Sequence, residues 1–203
     1  MARQVFAYIV HKEGVADDTA FEMVAAAKRI DPDASITAIV TGIGDNLNAV
    51  CNEIASSYQE VWKIDNEALS YPNAEVIRTL LVRILPEAGT IIIPYDTFGM
   101  DLAPGLSIKL EAAYLPDAVD IEGVDENMLK AVRQEYGGQV STHVVCDISG
   151  GAVITIRPGP FKAEETKGAD CQVVDKTAEA LKGGFPETGR RFIEIVEAEV
   201  GDV

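Results

Sequence analysis

A chain of 203 residues with 47% hydrophobic, 25% charged and 6% aromatic content is long enough to bury a core without disulfides or metals. Thirty-three acidic against seventeen basic residues give a net charge of −16, which excludes phosphate-backbone binding and disfavours anionic membrane surfaces. Cys51, Cys146 and Cys171 form no Cys-x-x-Cys pair and have only His11 and His143 for company, so no metal site is expected; with no signal h-region or membrane-length apolar run, the chain reads as reduced and cytoplasmic.

Val5–Val10 is a β-branched, apolar run that predicts a strand, followed by the turn-like His11–Gly14. Thr19-x-x-Glu22 has the form of a capping box opening a helix, which Asp31-Pro32 stops. Ser35–Thr41 predicts a second strand and Gly42–Asp45 a turn, after which Leu47, Val50, Cys51 and Ile54 mark one helical face. Cys51 in that stripe is a small core residue. Glu60–Ile64, with the lone Trp62, predicts a third strand; Asn73 then caps a helix carrying Ile77, Leu80, Leu81 and Ile84. Thr90–Ile93 is the fourth strand, and the next helix is expected near Gly99–Asp101 with Pro104 in its opening turn. Four such cycles predict an α/β fold, a parallel sheet flanked by helices.

The period then changes. Leu129–Tyr136 and Val140–Ile148 alternate about Gly137-Gly138, and Ala152–Arg157 alternates after Gly150-Gly151, predicting an antiparallel extension. Ala163–Asp170 reads as a surface loop and Arg191–Val200 as a last strand. The expectation is one domain over 1–203, with a parallel core at 1–115 and the antiparallel extension and final strand at 116–203.

Ligands of open α/β sheets sit beyond the carboxyl ends of the parallel strands. Thr41 and Gly42 follow the second strand, and Tyr95, Asp96, Thr97, Phe98 and Gly99 follow the fourth, just before a helix N-terminus suited to an anion. Asp96 and Thr97 equally suit plain helix caps. Gly42-x-Gly44 lacks the third glycine of a dinucleotide fingerprint and precedes Asp45, so it reads as a turn. His11 is expected in an exposed loop, and His143 in a structural or interfacial role. No nucleophile elbow, zinc-protease helix or carboxylate pair is present, which points away from an enzyme. Arg133 and Arg157, projecting from strands in the arginine-richer second half, are candidate partner-binding residues for an acidic partner or a flavin pyrophosphate, unless an internal carboxylate takes them.

Four segments together carry a resemblance: Phe6-Ala-Tyr-Ile-Val10, Thr97-Phe-Gly-Met-Asp-Leu-Ala-Pro-Gly105, Tyr136-Gly-Gly138 and Thr155-Ile-Arg-Pro-Gly-Pro-Phe161. In order and spacing the chain resembles the N-terminal domain of electron transfer flavoprotein alpha subunits. Gly105 departs from the family pattern, which commonly has an arginine there. The resemblance implies a fold related to adenine-nucleotide-binding, Rossmann-like domains, and a scaffold that pairs with a beta subunit. It further implies FAD in the assembled complex, held mainly by a C-terminal domain absent from this chain rather than by this chain alone, and AMP in the beta subunit. The electron donors implied are acyl-CoA-type or other dehydrogenases. The chain is then an excised domain or a short relative, and residues 41–42 and 95–99 are a remnant nucleotide site or a contact to the partner's flavin. The alternative is a stand-alone adenine-nucleotide-binding regulatory domain; a self-sufficient flavin enzyme is a third reading.

Overall fold

The computed structural model describes residues 3–163, 171–194 and 196. Gln4–Tyr8 forms β1, buried from Val5 onward because helices cover both faces of a central parallel strand. His11–Lys12 (β2) and Val15–Ala16 (β3) pair as a small antiparallel hairpin. Thr19–Ile30 is α1. Its capping box does not form: Asp17 Oδ1 accepts the N–H of Thr19 at 3.0 Å and its hydroxyl at 2.6 Å, so Thr19 is the first helical residue. Glu22 instead accepts the N–H of Gly159 at 2.8 and 3.0 Å, fastening α1 to the Ile156–Phe161 segment.

The cycle continues through β4 (Ser35–Gly42), α2 (Gly44–Ile54), β5 (Glu60–Asp65), a 3-10 turn at Glu67–Leu69, α3 (Ala74–Ile84), β6 (Thr90–Pro94) and α4 (Thr97–Leu110). Asn73 caps α3 as expected, its Oδ1 accepting from the N–H of Glu75 at 3.0 Å and of Val76 at 3.5 Å. Helix α4 starts at Thr97, earlier than the spacing predicts, which puts Pro104 in the helix interior rather than its opening turn. That position forfeits one backbone hydrogen bond. On its C-terminal side the Ser107 hydroxyl donates to the Pro104 carbonyl at 2.8 Å.

The remaining elements are β7 (Ala113–Asp125), β8 (Met128–Glu135), β9 (Val140–Asp147), β10 (Ala152–Ile156), β11 (Gln172–Asp175) and the short α5 (Thr177–Ala180). Nine strands form one sheet in the order β11-β5-β4-β1-β6-β10-β7-β8-β9. It is parallel from β11 to β7, and only β8 and β9 run antiparallel to their neighbours. Strand β10 therefore corrects the expectation for 152–157. It inserts in parallel between β6 and β7, Ala152 facing Thr90 on one side and Ala113 on the other. Residues 191–194 form no strand; beyond them the expected final strand lies outside the described residues except for Val196, as does the expected loop at 163–170 except for Ala163.

Two cores result. Met23, Val24, Leu47 and Ile54 of α1 and α2 pack on one face of the sheet, and Ile77, Leu80, Leu102 and Leu106 of α3 and α4 pack on the other. The arrangement is a doubly wound, Rossmann-like sheet with an antiparallel end. At the contact of α3 with α4, a Cβ on Gly105 would stand 2.5 Å from the Arg78 guanidinium, which donates to the Asp101 carbonyl at 2.7 Å. No described helix is long and apolar enough to cross a membrane.

Candidate functional site

Strands β1 and β6 are neighbours, and the chain winds outward from them in opposite directions, so the crevice beyond their carboxyl ends is the topological switch point. That crevice is filled by the protein itself. Tyr8, the last residue of β1, shares a 2.7 Å hydrogen bond with Thr41 Oγ1, and its ring stacks on Phe98 with centroids 5.6 Å apart. Burial raises the Tyr8 phenol above the ordinary tyrosine range, so it serves as a neutral hydrogen-bonding group.

His11 is not in an exposed loop. It is half-buried at the start of β2, with Nε2 2.9 Å from the Thr41 carbonyl; a carbonyl only accepts, so Nε2 carries the proton. The imidazole lies over Gly42, where a Cβ would approach its Nε2 to 3.2 Å. His11 Nδ1 is buried with no hydrogen-bond partner in the structure.

After β6, Asp96 Oδ1 accepts the N–H of Gly99 at 2.6 Å and caps α4. Gly99 is required by space: a Cβ there would stand 1.9 Å from the Pro94 carbonyl oxygen. Thr97 is exposed and is the first helical residue, while Tyr95 donates its N–H to the Ile156 carbonyl at 2.8 Å and so belongs to the β10 side. The seven predicted residues thus divide. Thr41, Gly42 and Phe98 meet around Tyr8 and His11, Asp96 and Gly99 build the helix cap, Thr97 opens α4 on the exposed side, and Tyr95 bonds to the end of β10.

Arg157 is held internally. Its Nε and one terminal nitrogen grip the two Asp117 oxygens at 2.9 and 2.5 Å, and the other terminal nitrogen donates to Gln134 Oε1 at 2.6 Å. Asp117 is buried in β7, with its N–H donated to Thr155 Oγ1 at 2.9 Å. This bidentate pair raises the already high guanidinium pKa further. The internal carboxylate comes from β7. Arg133 is held more loosely: one terminal nitrogen lies 3.8 Å from Glu135 Oε1, and its buried Nε has no hydrogen-bond partner in the structure. His143 Nδ1 lies 2.9 Å from Glu122 Oε1 on the antiparallel end. Among the described residues no three of His, Cys, Asp and Glu converge on a metal site.

Sequence reasoning missed Tyr8 and Asp117. Tyr8 could have been found as the last residue of a strand at the switch point. Asp117 could not, because β7 itself is interrupted by Pro116 and by irregular register between Ala118 and Asp120.

Residues 5–181 match the family described as the electron transfer flavoprotein domain. The chain belongs to that family. Protein FixB of Clostridium saccharobutylicum is 22% identical over 83% of this chain and 52% of its own length. The electron transfer flavoprotein subunit alpha of Bacillus subtilis is 25% identical over 98% of this chain and 63% of its own. A protein of Acetobacterium woodii named lactate dehydrogenase (NAD(+),ferredoxin) subunit LctC is 21% identical over 80% of this chain and 40% of its own. This electron transfer flavoprotein domain therefore spans about half the length of the curated relatives it matches.

Proposed function

We propose that this chain is the scaffold and partner-binding domain of an electron transfer flavoprotein alpha subunit, supporting electron shuttling through an FAD held elsewhere in the assembled protein. The family match over 5–181, joined to a switch point closed by the chain's own aromatic rings, carries this reading. The domain pairs with a beta subunit, which holds any AMP, and the assembled carrier takes electrons from dehydrogenases of the acyl-CoA type or others. It is a carrier subunit in the cytoplasm and has no catalytic step of its own. Residues 41–42 and 95–99 are a remnant nucleotide site or a contact to the partner's flavin, with Tyr95, Asp96, Thr97 and Phe98 as the accessible part, since Thr41, Gly42 and Gly99 are buried. Of the two strand arginines, Arg133 is the better partner contact, because the Arg157 fork is already filled by Asp117.

Size-exclusion chromatography of the chain with its cognate beta subunit, alone and with the remaining alpha-subunit domain added, tests the proposal. Co-elution, with yellow FAD retained once all parts are present, is the expected result. Separate elution in both mixtures overturns it.

A further inference from the structure

Among the described residues the large sheet ends on two edges, and they are unlike. Strand β11 is four residues long and ends at Asp175, with Lys176 next. Strand β9 runs for eight residues, pairs with β8 without a bulge, and contains no proline or lysine. Shortness, bulges, proline and lysine are the devices that keep an edge strand from pairing, and β9 has none of them. Its backbone is also open. Ile148 donates its N–H to the Asn127 carbonyl, on the β8 side, at 2.9 Å. Backbone groups alternate along an antiparallel strand, so those of Thr142, Val144 and Cys146 point into the β8 ladder as well. The N–H and C=O of Ser141, His143, Val145 and Asp147 therefore point outward, where no described strand meets them.

The charge of this hairpin differs from that of the chain. Against a net charge of −16 overall, residues 128–147 carry Lys130 and Arg133 against Glu135 and Asp147, two of each sign. Asp147, the one carboxylate of β9, already accepts the N–H of Ser149 at 2.9 Å. Charges farther than about 8 Å from the edge are largely screened at physiological salt. Apolar side chains gather here instead. Met128, Tyr136, Val140 and Val145 are exposed, Val145 by 60%, and on the face shared with α1 Val144 and Cys146 are half-buried at the margin of the core.

The strand is complementary to itself. A second β9 laid antiparallel along the edge, with Val144 opposite its own copy, places Ser141 opposite Asp147 and His143 opposite Val145. All four outward residues are then paired, each pair exchanging two backbone hydrogen bonds. A slip of two residues either way leaves one of the four without a partner inside the strand. In the unslipped register no like charges oppose one another, Thr142 falls opposite Cys146, and the two Val144 side chains join the margins of two cores. We propose that β9 pairs with β9 of a second copy of this chain, antiparallel about a two-fold axis through Val144, so that two nine-stranded sheets become one.

Sedimentation velocity of the 203-residue chain by itself, from about 5 to 500 μM, tests this, and its outcome is read separately from co-elution with a beta subunit. The expected result is a reversible dimer with Kd between about 1 and 100 μM. Ser141→Asp, which sets two carboxylates opposite each other, and Val145→Pro, which removes an outward N–H, each weaken it at least about tenfold. Circular dichroism establishes that each variant is folded. The register is read by oxidation with glutathione disulfide in a Cys146→Ser background. Val144→Cys gives a covalent dimer on a non-reducing gel, whereas the parent background and Val145→Cys, which is more exposed but faces His143, do not. A monomer at every concentration overturns the proposal. So does a dimer indifferent to both β9 variants, or crosslinking through position 145 in preference to 144.

Discussion

Cys51 shows how one buried group imposes a pH limit on the fold. It is 2% exposed on the inner stripe of α2, and burial pushes its thiol up from 9.0 to about 11. The folded chain keeps a proton that the unfolded chain releases near pH 9, so this contribution is complete below pH 9 and is lost as pH rises toward 11, by at most about 1.4 kcal/mol per pH unit. Burial shifts Cys146, Cys171, Tyr8 and Tyr58 in the same direction. Urea unfolding at pH 8, 9 and 10 is expected to show stability falling in the last interval, and Cys51→Ala to reduce that fall by up to about 1 kcal/mol. An unchanged slope in the variant would mean that the thiol ionises freely in the folded chain. At this scale the sequence shows what a residue is suited to and not what it meets. Cys51 was legible as core from its helical stripe, whereas Thr19 and Glu22 have the right spacing for a capping box and are drawn away by Asp17 and Gly159.

At the scale of elements, the first half was legible because each strand is a continuous apolar run and each helix keeps one buried stripe. Strand β10 was not. Ala152–Ile156 is buried on both faces, so its composition fits a central strand, but nothing in its period names the neighbours it pairs with. Contacts between helices are equally silent in sequence, and the one at Gly105 has a measurable consequence. Glycine inside a helix costs about 1 kcal/mol relative to alanine, so Gly105→Ala would ordinarily stabilise α4. Here the added Cβ would displace the Arg78 guanidinium and break its bond to the Asp101 carbonyl. We expect Gly105→Ala to be neutral or destabilising in the parent and stabilising by about 1 kcal/mol once Arg78→Ala is in place, a coupling of about 1–2 kcal/mol in a double-mutant cycle. Additive changes in denaturation midpoint would show that the two positions are independent.

At the scale of the whole molecule, the site was only partly legible, because a switch point can be located from strand order while its being closed depends on two side chains meeting from different elements. The sheet order also changes what counts as a unit. A boundary at residue 115 cuts through β7 and leaves β6, buried along its whole length, without its β10 neighbour. The fragment 1–115 is therefore expected to be unfolded or aggregated by circular dichroism and gel filtration, while 1–184, which keeps every strand, retains a cooperative transition. A folded, monomeric 1–115 would contradict this. Thr90 and Ala152 are partners, yet the whole antiparallel excursion of β7, β8 and β9 is made between them. During synthesis the ribosome delivers residues in order, so β6 must wait with an open edge until the chain has been extended past Ile156. Contacts this distant in sequence slow folding and prolong the time for which an apolar edge is available to other chains. The insertion of one five-residue strand thus makes the nascent polypeptide, rather than the finished domain, the stage at which this protein most needs chaperone protection.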